Sequence, residues 1–268
     1  MIIGIIGLGF VGEAIEYSFN KKNINLVLYD KFKKGGIGNF NDILISNIIF
    51  LCLPTPFSNN TKSYDLSSLS ESLSLLAQNQ YKGIIIIKST VQPGACQDFA
   101  NQFNLKIIHN PEFLTARTAK FDFDNQSHIV LGSTNTILPD SDLTLIINFY
   151  NQYYPKAHIS TCTSGESESM KIFANSFYAV KVQLFNEFYL LSQKQNFNFP
   201  TIIDMMVLNG WINPMHTKVP GPDGKLSYGG ACFPKDTQAL LALMQQYDIP
   251  CQVLNGCVQE RSIMRPDD

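Results

Sequence analysis

The sequence predicts an α/β fold: an N-terminal doubly wound parallel sheet, followed by an all-helical domain built on a long central helix. Three observations predict it. Short β-branched runs alternate with helix-length segments through the first 130 or so residues. A glycine-rich turn joins the first run to the first helix, and a 30-residue helical stretch follows once the strands stop near residue 160. The length of 268 residues suits two domains, expected at 1–163 and 164–268. A hydrophobic fraction of 45% with only 16% charged residues supplies a sizeable core and excludes disorder. The net charge of −2 gives no broad pull toward nucleic acid or anionic membrane, so neither is an expected partner.

The strands are read in order as 2–6 (IIGII), 25–29 (NLVLY), 47–53 (NIIFLCL), 84–88 (IIIIK), 105–109 (LKIIH) and 128–131 (HIVL). Each is short and apolar on both faces, as a strand covered by helices on both sides must be. Residues 10–20, 65–79 and 93–102 have helix-compatible length and supply the crossovers. In the stretch 165–194, Met170, Phe173, Ala174, Phe177, Val180, Leu184, Phe188 and Leu191 recur at helical spacing and form an apolar stripe, read as core or as the seam of a homodimer. Residues 213–230 are rich in Pro and Gly and form a loop, before helices near 234–247 and 250–264. The apolar opening MIIGIIGLGFV has no basic segment before it and is too short to span a bilayer. Six cysteines without a C-x-x-C pair suggest free thiols, no metal and a cytoplasmic location.

Gly7-Leu8-Gly9-Phe10-Val11-Gly12 is the first chemical motif. It follows a strand and opens a helix, the context a Rossmann dinucleotide fingerprint requires. Gly7 makes the turn, Gly9 admits the pyrophosphate to the backbone, Gly12 lets helix and strand pack, and the helix N-terminus offers N–H groups to the phosphates. Asp30, at the end of the second strand, is placed to accept hydrogen bonds from the ribose hydroxyls. The expected cofactor is therefore NAD rather than NADP, a preference that nearby Lys31, Lys33 and Lys34 could soften.

Further polar segments follow later strands: Pro54-Thr55-Pro56, Ser89-Thr90 and Asn110-Pro111-Glu112. In an open parallel sheet these all reach the carboxyl rim, where ligands bind. Lys171 and Asn175 lie four apart on the long helix and share a face, where a lysine can stabilise an oxyanion or exchange protons. In Gly229-Gly230-Ala231-Cys232-Phe233-Pro234-Lys235-Asp236 the glycines admit a ligand and Pro234 suits a first helical turn. Cys232 then sits near a helix N-terminus with Lys235 close by, which favours a nucleophilic thiolate.

Taken in order, GLGFVG, LCLPTP, KSTVQPG, HNPEFL, the Ser167–Asn175 segment, FNE at 185–187 and GGACFPKD resemble the nucleotide-sugar dehydrogenase family, which includes UDP-glucose and GDP-mannose 6-dehydrogenases. The resemblance runs to about residue 260. It implies NAD-dependent oxidation of a sugar C6 alcohol to a carboxylate, with UDP-glucose as the favoured substrate. By the same resemblance Cys232 carries a thiohemiacetal and then a thioester. Lys171 and Asn175 stabilise oxyanions, Asp236 manages protons and water, Glu112 is the base for hydrolysis and Thr90 places a water. Gly7, Gly9, Phe10, Val11, Gly12, Asp30, Pro54, Thr55, Ser89, Thr90 and Lys235 belong to the cofactor. The backbone around Phe113-Leu114 and Tyr228-Gly229 holds the sugar nucleotide.

The chain departs from the family pattern at Ala116, where an acidic residue is common, and at Arg117, where a small one is. His128 reads best as a polar residue at a strand end. Family members usually continue into a third, nucleotide-binding domain, so the expectation is a short form whose nucleotide contacts come from the loop His216–Leu226, from a second subunit or from nothing at all. Two alternatives stay open: a two-domain β-hydroxyacid dehydrogenase with a single hydride transfer, and a non-catalytic protein that binds NAD or a sugar nucleotide.

Overall fold

The computed structural model describes residues 1–135 and 138–266. Along the chain run β1 (Ile2–Ile6), α1 (Phe10–Lys21), β2 (Asn25–Tyr29), α2 (Phe40–Ile43), β3 (Ile48–Leu51), β4 (Phe57–Ser58), β5 (Ser63–Tyr64), α3 (Ser67–Gln78), β6 (Ile84–Ile87), α4 (Ala95–Phe103), β7 (Lys106–His109), α5 (Ala119–Asp124), β8 (His128–Ser133), α6 (Asp140–Tyr153), β9 (His158–Thr163), α7 (Ser164–Lys194), α8 (Phe199–Leu208), α9 (Phe233–Gln246) and α10 (Gln252–Met264). They divide into two compact units, Met1–Pro56 with Asp65–Lys171, and Phe57–Tyr64 with Ile172–Asp268.

The first unit is built on a sheet of order β2-β1-β3-β6-β7-β8-β9. Consecutive residues of its strands feed two separate cores, because successive side chains leave a strand on opposite faces. Ile84 and Ile86 join Ile3, Ile5, Phe19, Phe50, Phe123 and Phe149 on one face. Ile85 and Ile87 join Ile49, Leu51, Leu73, Leu76 and Phe99 on the other. Phe19 organises the first core, meeting Phe50, Phe123 and Phe149 edge-on at 5.4, 5.9 and 5.6 Å between ring centres.

The expected sheet needs two corrections. β7 and β8 are antiparallel, overlapping only through Ile108–Ser133 and His109–Gly132. Only α5, six residues long, is helical between them, so the chain does not climb back to the amino edge. β8 starts beyond the carboxyl ends of the parallel strands, and β9 pairs with it in parallel from His128–His158 to Ser133–Thr163. The strands do stop near residue 160, but the last of them was not read from the sequence: His158–Thr163 is β9, a sheet edge that tolerates its Ser and Thr residues because one side of it is solvated. Helices α6 and α8 lie outside the stretches that the sequence marks as helical.

In the second unit α9 packs against the β4–β5 hairpin and against α10. One small core joins Ala179, Tyr228 and Cys257, and a second joins Phe185, Phe199 and Ile203. Two buried arginines of the last helical turn strap the Pro/Gly-rich loop. Arg261 donates to the Tyr228 carbonyl (3.1 Å), and Arg265 donates to the carbonyls of Leu226 and Ser227 and pairs with Asp223 at 2.8 Å. None of the apolar stripe read on α7 is fully buried: Phe173, Phe177, Leu184 and Leu191 are exposed, and Met170, Ala174, Val180 and Phe188 are half-buried. The apolar residues that the helix does bury are others, among them Ile172, Ala179 and Phe185.

Candidate functional site

Each unit carries a group of chemically active side chains. In the first unit the glycine turn behaves as its spacing requires. Gly7 has φ +90°, and a Cβ there would lie 2.5 Å from the Cys52 carbonyl oxygen. A Cβ on Gly12 would lie 2.0 Å from the Gly7 carbonyl oxygen, whereas one on Gly9 would meet nothing within 4 Å. The backbone at Gly9 is therefore open to a ligand, beside the first turn of α1. Asp30 closes the turn from β2: it accepts from Leu8 N at 2.7 Å, Phe32 N at 2.9 Å and Lys33 N at 2.8 Å. Burial works to raise its pKa, but the three N–H donors and Lys33 outweigh that and hold it below the usual carboxylate value.

A cavity of about 410 Å³ opens at this point, where the strand order reverses about β1. Gly7, Gly9, Phe10, Val11, Asp30, Pro54 and Ser89 line it. Gly12, Thr55 and Thr90 do not. Gly12 is packed against the turn, and the Thr55 hydroxyl donates to the Thr90 carbonyl at 2.7 Å. The Ser89 hydroxyl bridges to Leu53, donating to its carbonyl (2.7 Å) and accepting from its N–H (3.0 Å), so it ties the loops after β3 and β6 together. An open Gly9 at a helix N-terminus, a carboxylate at the end of β2 and a cavity between them fit a dinucleotide with a free ribose diol. The neighbouring Cys52 is no nucleophile, since burial pushes its thiol up to about 12.

The carboxyl rim beside β7 holds a buried charged group that centres on Glu112. Lys171, at the end of the first unit, donates to the Glu112 carbonyl at 2.5 Å and lies 3.2 Å from its carboxylate. Glu112 also accepts from Leu114 N at 2.6 Å, which curls the 110–114 segment around the carboxylate. The Lys171 ammonium lies 5.5 Å from the centre of the Phe113 ring, which is itself exposed and stacked on His128. His128 is, as expected, a polar strand-end residue, 2.8 Å from the Ser160 hydroxyl.

Lys88, which the motif reading did not single out as a site residue, lies beneath this group. Its ammonium reaches Asn110 Oδ1 (3.0 Å) and the Pro111 carbonyl (3.4 Å), and burial lowers its pKa to about 8. The signal was present: a lysine that ends an all-isoleucine strand cannot reach water.

In the second unit Asp236 is wholly buried and is the shared acceptor of three side chains. Tyr64 O–H and Lys235 Nζ both reach Oδ1 at 2.6 Å, and Asn175 Nδ2 reaches Oδ2 at 2.6 Å. Lys235 also lies 4.7 Å over the Tyr64 ring. Tyr64 was not foreseen; it comes from the β4–β5 hairpin, far away in sequence, and burial pushes its phenol pKa well up. Cys232 is the N-cap residue of α9, half-buried and not in a disulfide, and its carbonyl accepts from Asp236 N at 3.1 Å. Tyr228 is buried, and Gly229 sits where a Cβ would come within 2.3 Å of the Arg265 guanidinium. Among the described residues no cluster could hold a metal ion, and no helix is long and apolar enough to cross a membrane.

A dinucleotide-binding α/β unit, joined by one long helix to a helical unit with a cysteine at a helix N-cap, defines a class of cofactor-dependent oxidoreductases. Two family models make this particular. The NAD binding domain of the UDP-glucose/GDP-mannose dehydrogenase family matches residues 39–152, and the central domain of the same family matches 165–260. The chain belongs to this family, and NAD is its cofactor. The first match begins after the glycine turn and Asp30, so the fingerprint stands on its own geometry.

Among similar proteins, the UDP-glucose 6-dehydrogenase of Campylobacter jejuni is 28% identical over 99% of this chain and 73% of its own length. The chain spans only about half of the UDP-glucose 6-dehydrogenases of Streptococcus pneumoniae (52%) and Rickettsia typhi (51%). Among solved structures, a UDP-glucose dehydrogenase from Pyrobaculum islandicum superposes with a TM-score of 0.83 at 19% identity, covering 96% of this chain and 67% of that one. A 3-hydroxyisobutyrate dehydrogenase from Mycobacterium tuberculosis superposes at 0.74 and 14% identity, covering 99% and 94%. Both structural likenesses concern the fold alone.

Proposed function

We propose that this chain oxidises the C6 alcohol of a nucleotide sugar, UDP-glucose foremost, to the uronate through a thioester on Cys232. The observation that carries this reading is the placement of Cys232 at the N-cap of α9, one turn before a buried Asp236 that is bound by Tyr64, Asn175 and Lys235. Two hydrides leave C6 in succession, and two molecules of NAD, bound in turn, would each accept one; the C6 hydroxyl proton leaves with the first. After the first, C6 is an aldehyde. The Cys232 thiolate adds to it, forming an S–C6 bond, and the oxygen takes a proton. Loss of the second hydride and of the hydroxyl proton leaves a thioester. Water then adds to C6, the C6–S bond breaks, and the carboxylate and the thiolate separate.

In this scheme the Lys171 ammonium and the Asn175 amide donate to the oxyanions. Glu112 takes the proton of the hydrolytic water, which Thr90 places, and Asp236 with Lys171 holds water and proton in position. The peptide groups of Phe113-Leu114 and Tyr228-Gly229 hold the sugar nucleotide, while Asp30, Pro54, Thr55, Ser89 and Lys235 serve the cofactor. The exposed apolar residues of α7 support a homodimer through that helix. Six thiols and no disulfide support a cytoplasmic location.

The second reading is a two-domain β-hydroxyacid dehydrogenase with a single hydride transfer; a 3-hydroxyisobutyrate dehydrogenase shares this fold over 94% of its length. Counting NADH formed per sugar nucleotide separates the readings: two supports the four-electron oxidation, one supports a single hydride transfer, and none across a panel of sugar nucleotides favours a protein that binds NAD or a sugar nucleotide without catalysis. Cys232→Ser is expected to bind NAD yet form no acid, and normal acid formation by that variant would remove the thioester from the scheme.

A further inference from the structure

Asp30-Lys31-Phe32-Lys33-Lys34 has the composition of a site for a phosphorylated ribose, with three cations beside the ribose carboxylate. In the fold, two of these cations are already paired. Lys31 Nζ lies 2.7 Å from Glu71 Oε1 on α3, and both residues line the cavity together with Asp30. Lys33 Nζ turns back across the glycine turn onto the Leu8 carbonyl and the Glu13 carboxylate of α1. The partners come from two helices that are remote from the loop in sequence, so tertiary structure sets the pairing.

Asp30, Glu71 and Glu13 carry three negative charges against the three positive charges of Lys31, Lys33 and Lys34, so the loop offers an anion no net attraction. A ribose diol needs none, because it donates hydrogen bonds to Asp30. A 2′-phosphate, with a charge near −2, meets the Asp30 carboxylate and finds the Lys31 and Lys33 ammonium groups already turned to carboxylates.

We propose that Glu71, with Glu13 in support, determines cofactor selectivity by holding Lys31 and Lys33 away from the ribose, so that the cavity takes NAD and rejects NADP. The inference rests on the reading of this cavity as the NAD site.

The test is calorimetric titration of the purified chain with NAD and with NADP at low ionic strength. The unaltered chain is expected to prefer NAD. In Glu71→Gln the ratio of the NADP to the NAD dissociation constant is expected to fall roughly tenfold, as one charge-assisted contact to phosphate becomes available. Glu13→Gln/Glu71→Gln lowers it further, and Lys31→Met/Glu71→Gln restores it, which a merely loosened cavity would not do. A ratio in Glu71→Gln within about twofold of the unaltered chain overturns the proposal. So does a gain that survives removal of Lys31. If the unaltered chain binds neither dinucleotide, the cofactor reading fails and the proposal falls with it; selective NAD binding with unresponsive variants sinks the proposal alone.

Discussion

Asp236→Ala removes the acceptor that Tyr64, Asn175 and Lys235 share, and the structure sets the cost. Three donors end 2.6 Å from a carboxylate with no solvent exposure. Lys235 can turn to water. Tyr64 and Asn175 are buried and cannot, so two donors lose their partner at about 1–3 kcal/mol each. Removing a buried anion returns part of its desolvation cost, while the volume of the lost carboxyl adds a small cavity. The expected net loss is about 4 kcal/mol, close to a thousandfold in the opening equilibrium. Asp236→Asn keeps one acceptor oxygen and is expected to lose about half as much. Because the chain has two units, a global melt would mix their transitions, so the assay is native-state hydrogen exchange read on the peptides of α9 and β5. Protection of residues 233–246 that falls by less than about fivefold in Asp236→Ala would refute the view that this carboxylate organises the second unit.

Three further outcomes follow from the same geometry. Gly9→Ala should leave thermal stability unchanged yet abolish NAD binding, since its Cβ meets only the open face, whereas Gly12→Ala should lose both, its Cβ falling 2.0 Å from a backbone oxygen. Thermal melts paired with NAD titrations check this, and equal stability of the two variants would contradict it. Burial lowers Lys88 to about 8, so between that pH and its unfolded value of about 10.4 the unfolded chain binds a proton that the folded chain has lost. Its contribution to stability therefore rises with pH by up to about 3 kcal/mol, and the stability of the unaltered chain relative to Lys88→Met should rise across that window; a constant difference would count against it. If the helix seam holds, the unaltered chain should sediment as a dimer and Phe177→Glu, on the exposed face of α7, as a monomer; identical sedimentation would discard the seam.

What the sequence revealed and what it hid have distinct physical causes. IIGII, NLVLY and IIIIK were legible because a strand covered on both faces must be apolar on both, and local composition records that directly. The reversal of β8 was not legible, since strand direction depends on how far the preceding link can travel rather than on the strand's own residues. β9 was hidden because an edge strand does not need the apolar run that marks the others. The helical periodicity of α7 was plain, but periodicity alone does not say which apolar residues face the core, and Phe173 and Phe177 turned out to be exposed beside a buried Ile172. Glycine, cysteine and lysine motifs were readable as local chemistry. Tyr64 was not, since its hydrogen bond to Asp236 spans 172 positions and its own neighbourhood reads as an ordinary turn.

The charges of the first unit's rim bear on why such a group persists. Lys88 and Lys171 are both buried, each works against the other, and Glu112 is the carboxylate that faces them. Two cations against one anion in a desolvated place is a poor arrangement for stability, and apolar residues of similar volume would serve the fold as well or better. It is a good arrangement for chemistry that develops negative charge on oxygen. Fixed cations in a dry site need no reorganisation when that charge appears, and the excess positive charge is satisfied only then. Thr90 and Phe113, on the segments that follow β6 and β7, are respectively half-buried and exposed at this rim. A protein that only bound a dinucleotide would have no use for the excess positive charge, and on that ground the rim supports an enzyme over a binding protein.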